Sequence, residues 1–151
     1  MAGEIVVGIG GDGSGAAAAH TAARVANMMG VGVELVFGYE AAALGPRGGA
    51  LEEEISAVGA TATAAVRAEL LARYPNLTVD VELVHDRPVE SLMRVAEERQ
   101  AEAIAVGHGG KGPLRAALLG SVTYEMVHRA PVPILVVPDE HEPDDADDSD
   151  D

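Results

Sequence analysis

A glycine-rich segment at residues 107–121 is the part of the sequence best suited to binding a ligand. It follows an apolar run at 103–106, and a helix is expected to begin near Ser121. Glycines leave little side chain between a ligand and the backbone amides. Ser121 can serve as the helix N-cap, which leaves the amides of Val122 and Thr123 unpaired and able to receive an anion. We therefore predict a phosphate site.

Two side chains of this segment could add to phosphate binding. Lys111 is the only lysine in the protein, and His108 lies three residues before it. Either side chain can contact a phosphate or remain solvated in a loop. The five histidines share no ligand spacing, so we predict no metal site and no catalytic residue.

The length and composition of the chain indicate a single domain without disulfide bonds. A chain of 151 residues suits a single core, which must be aliphatic because 48% of the residues are hydrophobic and only 3% aromatic. Cysteine is absent, which excludes disulfides and thiolate metal sites. We see neither an apolar run near the ~20 residues of a membrane span nor an export signal. We expect a cytoplasmic protein with no membrane partner.

The net charge of −15 is distributed unevenly along the chain. Residues 139–151 hold nine acidic residues, which leaves 16 acidic residues against 10 basic ones in the rest. We predict a domain at 1–138 and a disordered acidic tail at 139–151, because such a run repels itself. An acidic balance argues against nucleic acid as a partner.

Apolar segments alternate with helical patterns five times, which predicts a parallel sheet with helices on both faces. The expected strands are 5–9, 31–37, 77–84, 102–106 and 132–137, and the expected helices are 15–29, 51–73, one from Pro88, and 121–129.

The strand patterns favour one order of strands. The first and fourth strands are apolar on both faces, as central strands are, whereas 77–84 alternates as an edge strand does. The predicted fold is therefore a single doubly wound, Rossmann-like α/β domain whose five-stranded sheet has the order 3-2-1-4-5. Its glycine-rich loops at 8–15 and 107–112 leave the two strands at the switch point, where ligands of such sheets bind.

The last strand lies at the other edge and is wholly apolar. An unprotected apolar edge in a soluble protein usually has a partner. We predict a homodimer that pairs through strand 132–137; the alternative is that the tail folds back over this edge.

Four positions carry a resemblance to a known family. Gly107, Gly110, Gly120 and Ser121 have the spacing Gly-x2-Gly-x9-Gly-Ser, and the segment 130–137 has the form of a small residue, Pro-x-Pro and an apolar strand. Over residues 4–138 the chain resembles the universal stress proteins, many of which bind ATP.

The resemblance implies a dimeric, ATP-binding stress-response protein with little or no turnover, in which Mg²⁺ could accompany the nucleotide. In a gap-free alignment Gly10 takes the place of an Asp that is common in the family, and Asp12 follows two residues later. The residues implied in nucleotide binding are Ile9, Gly10, Asp12, Gly38, Val106, Gly107, His108, Gly109, Gly110, Lys111, Gly120, Ser121, Val122 and Thr123.

Three other interpretations stay open. The spacing Gly8-x-Gly10-x-x-Gly13 matches a dinucleotide fingerprint, for which Glu34 would be the acidic partner near the start of the second strand. A nucleotide-independent universal stress protein would act as a protein-interaction module. An adenylating enzyme is the third interpretation, although the chain lacks recognisable catalytic residues for it.

Overall fold

The computed structural model of the chain describes residues 3–40, 48–109 and 119–138. The strands are β1 (Glu4–Gly8), β2 (Gly32–Tyr39), β3 (Val79–His85), β4 (Ala103–Gly107) and β5 (Ile134–Val137). The helices are α1 (Ala16–Met29), α2 (Gly48–Arg73), α3 (Pro88–Glu98) and α4 (Ser121–Arg129). All strand pairs are parallel, and the order β3-β2-β1-β4-β5 confirms the predicted fold.

The central strand β1 is buried on both faces. Ile5, Val6 and Val7 have no exposed surface, because helices cover the sheet from two sides. Ile5 and Val7 point into the core beneath α1 and α2, whereas Val6 belongs to the core beneath α3 and α4. The two-sided apolar pattern in the sequence therefore identified the centre of the sheet correctly.

The helix α1 packs on the sheet mainly through alanines, with Val25 at the margin of the core. The fully buried residues of this helix are Ala18, Ala19, Ala22, Ala23 and Ala26. Their small side chains let the helix backbone come close to β1 and β4. This helix begins beside the end of β1, so its N-terminus faces the carboxyl edge of the sheet.

The helix α2 covers the outer half of the same face. The stretch 49–73 is long and apolar enough to cross a membrane by length and composition, with a mean hydropathy of 1.2 in an 18-residue window. Val66 and Leu70 are nevertheless buried against the sheet, and Arg67 donates to the carbonyl of Val79 at 2.7 Å. These contacts are those of a helix that covers a sheet.

The strands β3 and β5 each begin two residues later than predicted. Leu77 is buried but its amide donates to Tyr74 O at 3.0 Å, which makes it part of the turn after α2. Residues 132 and 133 precede β5, where Pro133 has no N–H to donate and only its carbonyl pairs, with the Ile104 amide. The predicted acidic tail at 139–151 lies outside the described residues.

Candidate functional site

A cleft of about 490 Å³ lies at the carboxyl ends of β1, β2 and β4. Its wall contains most of the residues predicted to bind nucleotide: Ile9, Gly10, Asp12, Gly38, Val106, Gly107, Gly109, Gly120, Ser121, Val122 and Thr123. It also contains Gly8, Gly11, Ser14 and Gly15 of the predicted loop 8–15, and four residues that the sequence analysis did not assign to a site, namely Val36, Phe37, Pro88 and Leu92. Gly110 and Lys111 lie outside the described residues.

The first loop of the cleft turns the chain from β1 into α1. The amide of Gly13 donates to Gly10 O at 3.0 Å, and the amide of Gly10 donates to Ser14 O at 2.8 Å. Gly15 is the N-cap of α1 at φ 94°, and a Cβ there would collide with the carbonyl oxygen of Gly8. The loop therefore needs a glycine at the point where the helix begins.

Asp12 folds back toward Gly10 within this loop. Its Oδ1 accepts a hydrogen bond from the Ser14 amide at 2.9 Å. The same oxygen lies 2.8 Å from the position that a Cβ on Gly10 would take. The carboxylate of Asp12 therefore lies beside Gly10, although Asp12 comes two residues after Gly10 in the sequence. The absence of a side chain at Gly10 makes room for it.

The second loop leads into α4, and here one detail of the prediction is wrong. Gly120, and not Ser121, is the N-cap of α4, with φ −64° and ψ 161° and no side-chain cap. Ser121 is the first helical residue, and its side chain is exposed. A Gly-Ser pair offers two possible cap residues, and packing of the glycine against another backbone decides between them.

That packing joins the two ends of the glycine-rich segment. A Cβ on Gly120 would lie 2.6 Å from the carbonyl oxygen of Gly109, and Gly109 itself has φ +73°. The amide of Gly120 donates to His108 O at 3.0 Å. The start of α4 is therefore held against the end of β4, with room for no side chain between them.

The start of α4 presents backbone donors to the cleft. The first bond within the helix runs from the Tyr124 amide to Gly120 O at 2.8 Å. The amides of Ser121, Val122 and Thr123 have no acceptor among the residues that the structure describes, and all three residues line the cleft. Unpaired amides together with the positive end of the helix dipole attract anions.

Thr123 and His108 hold this arrangement together. The buried hydroxyl of Thr123 donates to the carbonyl of Gly107 at 2.6 Å, which ties α4 to the end of β4. The His108 amide donates to Val137 O at 2.9 Å, and His108 does not contribute to the described wall of the cleft.

The side of the cleft beneath β2 is apolar and narrow. Phe37 and Leu92 line it, and the Phe37 ring packs so tightly on α2 that a side chain on Gly59 would overlap it. A Cβ on Gly38 would lie 2.9 Å from Pro88 Cα. Glycine at position 38 therefore lets the start of α3 pack directly against the end of β2, at the wall of the cleft.

Glu34 does not lie in the cleft. It pairs with Val6 in the sheet, has no exposed surface, and is absent from the cleft wall. Burial raises the pKa of Glu34 to about 8, which Arg99 opposes and the carboxylates of Glu4 and Glu82 reinforce. Glu34 is therefore not positioned to hold the ribose of a dinucleotide, as the fingerprint at 8–13 would require.

Sequence comparison gives a family match over most of the chain. The model of the universal stress protein family matches residues 1–138. Universal stress protein Rv2005c of Mycobacterium tuberculosis is 41% identical over 64 residues, which are 42% of this chain and 21% of that protein. The chain thus spans a small part of the length of this relative.

Structural comparison finds the same fold at low sequence identity. The protein described as hypothetical protein MJ0577 has a TM-score of 0.76 at 20% identity, over 94% of this chain and 99% of its own. A universal stress protein in complex with cAMP has a TM-score of 0.64 at 22% identity, over 91% and 98%. The Archaeoglobus fulgidus universal stress protein in complex with dAMP has a TM-score of 0.58 at 18% identity, over 91% and 99%.

Proposed function

The chain belongs to the universal stress protein family, and from this premise we propose that its cleft binds an adenine nucleotide, with ATP as the first candidate. Proteins of the same fold have been solved with cAMP and with dAMP. The cleft volume of about 490 Å³ lies within the range of small-molecule and cofactor sites.

The observation that supports the proposal most is the meeting of two helix N-termini at one cleft. Gly15 begins α1 and Gly120 begins α4, and both residues line the cleft. Each terminus contributes a partial positive charge and unpaired N–H donors. A polyphosphate is the ligand that best uses donors arranged in this way. In this proposal the phosphates contact Gly107, Gly109 and the amides of Ser121, Val122 and Thr123.

The nucleoside occupies the other side of the cleft in this proposal. The carboxylate of Asp12, beside Gly10, accepts hydrogen bonds from the ribose hydroxyls. The base lies in the apolar part of the cleft, which is lined by Phe37, Gly38 and Pro88.

We infer binding with little or no hydrolysis. Phosphoryl transfer to water needs a positioned water, a base and metal ligands. Asp12 is the one carboxylate in the described wall of the cleft, and its Oδ1 is used by the Ser14 amide. A Mg²⁺ ion that accompanies the phosphates would find its protein ligand in this carboxylate.

The proposal includes a cytoplasmic homodimer. The strand β5 is an edge of the sheet with Val136 38% exposed, and Val127 on the neighbouring α4 is 49% exposed. Pairing of β5 with a second copy would cover both side chains and satisfy the free backbone edge. Size-exclusion chromatography with light scattering tests this part.

Two measurements on wild-type protein test nucleotide binding. The first asks whether protein purified without added nucleotide releases ATP, ADP or AMP on denaturation. The second is a thermal shift, because ligand at 100 times its dissociation constant stabilises a protein by about 2.7 kcal/mol. Absence of any shift with adenine nucleotides would refute the proposal and favour a nucleotide-independent interaction module. Phosphate release in steady state tests the expected lack of turnover.

A matched pair of variants at Ser121 locates the phosphates. Ser121→Asp places a negative charge at the first turn of α4, where it favours the free helix but repels a phosphate. Ser121→Asn has a similar size without the charge. We expect the aspartate variant to keep its stability and lose most of the ATP shift, whereas the asparagine variant keeps the shift. Equal shifts in the two variants would place the phosphates elsewhere.

A further inference from the structure

A second polar cluster lies toward the opposite end of the sheet from the cleft. Glu4, Glu34 and Asp80 come from the adjacent strands β1, β2 and β3, and they offer carboxylate oxygens that all lie within 4.8 Å of one another. Glu34 has no exposed surface, whereas Asp80 is exposed and opens the cluster to solvent. Three carboxylates thus converge on a half-buried point.

Several oxygens of this cluster are buried and have no hydrogen bond to the residues that the structure describes. They are both side-chain oxygens of Glu34, one oxygen of Glu4 and one of Glu82. Buried polar atoms in native proteins are nearly always paired with protein groups, water or an ion. In the described part of the chain the positive charge beside these oxygens is that of Arg99, so the carboxyl groups outnumber the cation.

Arg99 balances only part of the charge of these carboxyl groups. Its guanidinium contacts Glu4 Oε1 at 3.1 Å, but it approaches Glu34 Oε1 only to 3.5 Å and Glu82 Oε2 to 3.8 Å. One guanidinium thus faces three carboxyl groups. The Arg99 side chain is 37% exposed, so it has a route to solvent if another cation takes its place.

We propose that Glu4, Glu34 and Asp80 bind a divalent cation of the Ca²⁺ class. Carboxylate oxygens are the ligands of hard cations, and Ca²⁺ takes them at about 2.3–2.6 Å in flexible geometry. Two ligands on opposite sides of Ca²⁺ are then roughly 5 Å apart, so oxygens that all lie within 4.8 Å of one another can share one ion. Mg²⁺ needs shorter bonds of about 2.0–2.1 Å and a regular octahedron, so it fits less well.

Calorimetric titration of the full chain with CaCl₂ tests the site. The acidic segment 139–151 can itself collect Ca²⁺, so the comparison is between wild type and Glu34→Gln, which share that segment. Glu97→Gln on the exposed side of α3 is the control for loss of one acidic charge. We expect one Ca²⁺ per chain in addition to any that the acidic segment collects, with the affinity of this site reduced about tenfold or more in Glu34→Gln and unchanged in Glu97→Gln.

If Glu34→Gln does not fold, Asp80→Asn removes the exposed ligand of the same set. Equal Ca²⁺ binding by wild type and both ligand variants would assign the cation to the acidic segment and overturn the proposal. No binding in any protein would overturn it as well, because a proton and Arg99 would then suffice to neutralise the cluster.

Arg99→Gln gives the opposite prediction. Loss of the competing guanidinium should lower stability in EDTA, and Ca²⁺ should restore it with higher affinity than in wild type. A variant that Ca²⁺ does not rescue would show that guanidinium and cation do not share these carboxylates. Because the cluster is separate from the cleft, these outcomes do not depend on whether nucleotide binds.

Discussion

The strand β2 passes through two regions of opposite character. Near its amino end Glu34 lies among carboxylates, and near its carboxyl end Gly38 lies in a cleft with few ionised side chains. The cleft end presents helix N-termini and backbone N–H groups. The other end presents carboxylates and the end of α3 at Glu98, where the helix dipole is negative. One end therefore suits anions and the other suits cations.

The comparison shows that the cleft depends on the backbone, whereas the acidic cluster depends on side chains. The cleft depends on missing side chains, because Gly109, Gly120 and Gly38 let backbones approach each other and a ligand. The acidic cluster depends on charged side chains that are largely buried from water. Substitutions should thus act by steric overlap at the cleft and through charge at the cluster.

The pH dependence of stability should show the largest effect, and it arises at the cluster. Burial raises the pKa of Glu34 from 4.5 to about 8; the charge of Arg99 lowers this pKa, and the charges of Glu4 and Glu82 raise it further. Between pH 4.5 and pH 8 the folded state therefore binds more protons than the unfolded state. In EDTA the stabilisation is complete below about pH 4.5 and is lost as pH rises toward 8. Urea unfolding should show a fall of several kcal/mol attributable to this group.

Glu34→Gln is the control for this pH dependence, because the amide does not ionise. Its free energy of unfolding should lack the decline between pH 5 and pH 8, whereas Glu97→Gln should retain it. Parallel curves for wild type and Glu34→Gln would contradict the assignment of the effect to Glu34.

Gly120→Val should abolish the cleft by steric overlap. The new Cβ would meet the backbone of Gly109, which cannot move like the end of a flexible side chain. We expect a loss of about 1–3 kcal/mol of stability by urea unfolding, together with loss of the ATP thermal shift. Ser121→Ala, one residue later, should keep both within the error of the measurement; an intact shift in Gly120→Val would contradict the proposed packing.

Thr123→Val should have a moderate effect on the stability of the cleft. It removes the donor to Gly107 O and leaves a part-buried carbonyl without this partner. The expected cost is about 1–3 kcal/mol by urea unfolding. Thr123→Ser keeps the hydroxyl and should lose clearly less, so equal losses in the two variants would show that the methyl group matters more than the hydrogen bond.

Asp12→Asn should have the smallest effect. Asparagine keeps the side-chain oxygen that accepts from the Ser14 amide, so stability should change by less than about 0.5 kcal/mol. A ribose hydroxyl would lose a charged acceptor, which is worth about 1 kcal/mol or roughly fivefold in affinity. Calorimetry with adenosine nucleotides checks this, and unchanged affinity would remove Asp12 from the ribose site.

The sequence predicted the fold more completely than the details of the site. Two-sided apolar patterns at 5–9 and 103–106 were enough to place the central strands, because burial on both faces leaves no polar position. The choice of N-cap between Gly120 and Ser121 depended on a contact with Gly109 that is distant in sequence. The position of the Asp12 carboxylate beside Gly10 depended on a local turn, and the spacing of residues in the sequence does not predict that turn.

Glu34 shows the limit of sequence reasoning most clearly. The sequence offered it only as the acidic partner of a dinucleotide fingerprint, on spacing from Gly8 and Gly10. The sequence did contain a signal for this buried carboxylate: Glu34 lies between Val33 and Leu35 in an apolar strand, where both neighbours are buried. Its neighbours Glu4 and Asp80 come from other strands, so their meeting required the order and register of the sheet.

The most direct test of the account is the set of backbone amide shifts on titration of the ¹⁵N-labelled protein with ATP. Binding at the carboxyl edge of the sheet predicts the largest changes at residues 9–15, 36–38, 107–109 and 120–123, with little change around Glu34. Absence of changes, or changes that cluster away from the ends of β1 and β4, would contradict the account.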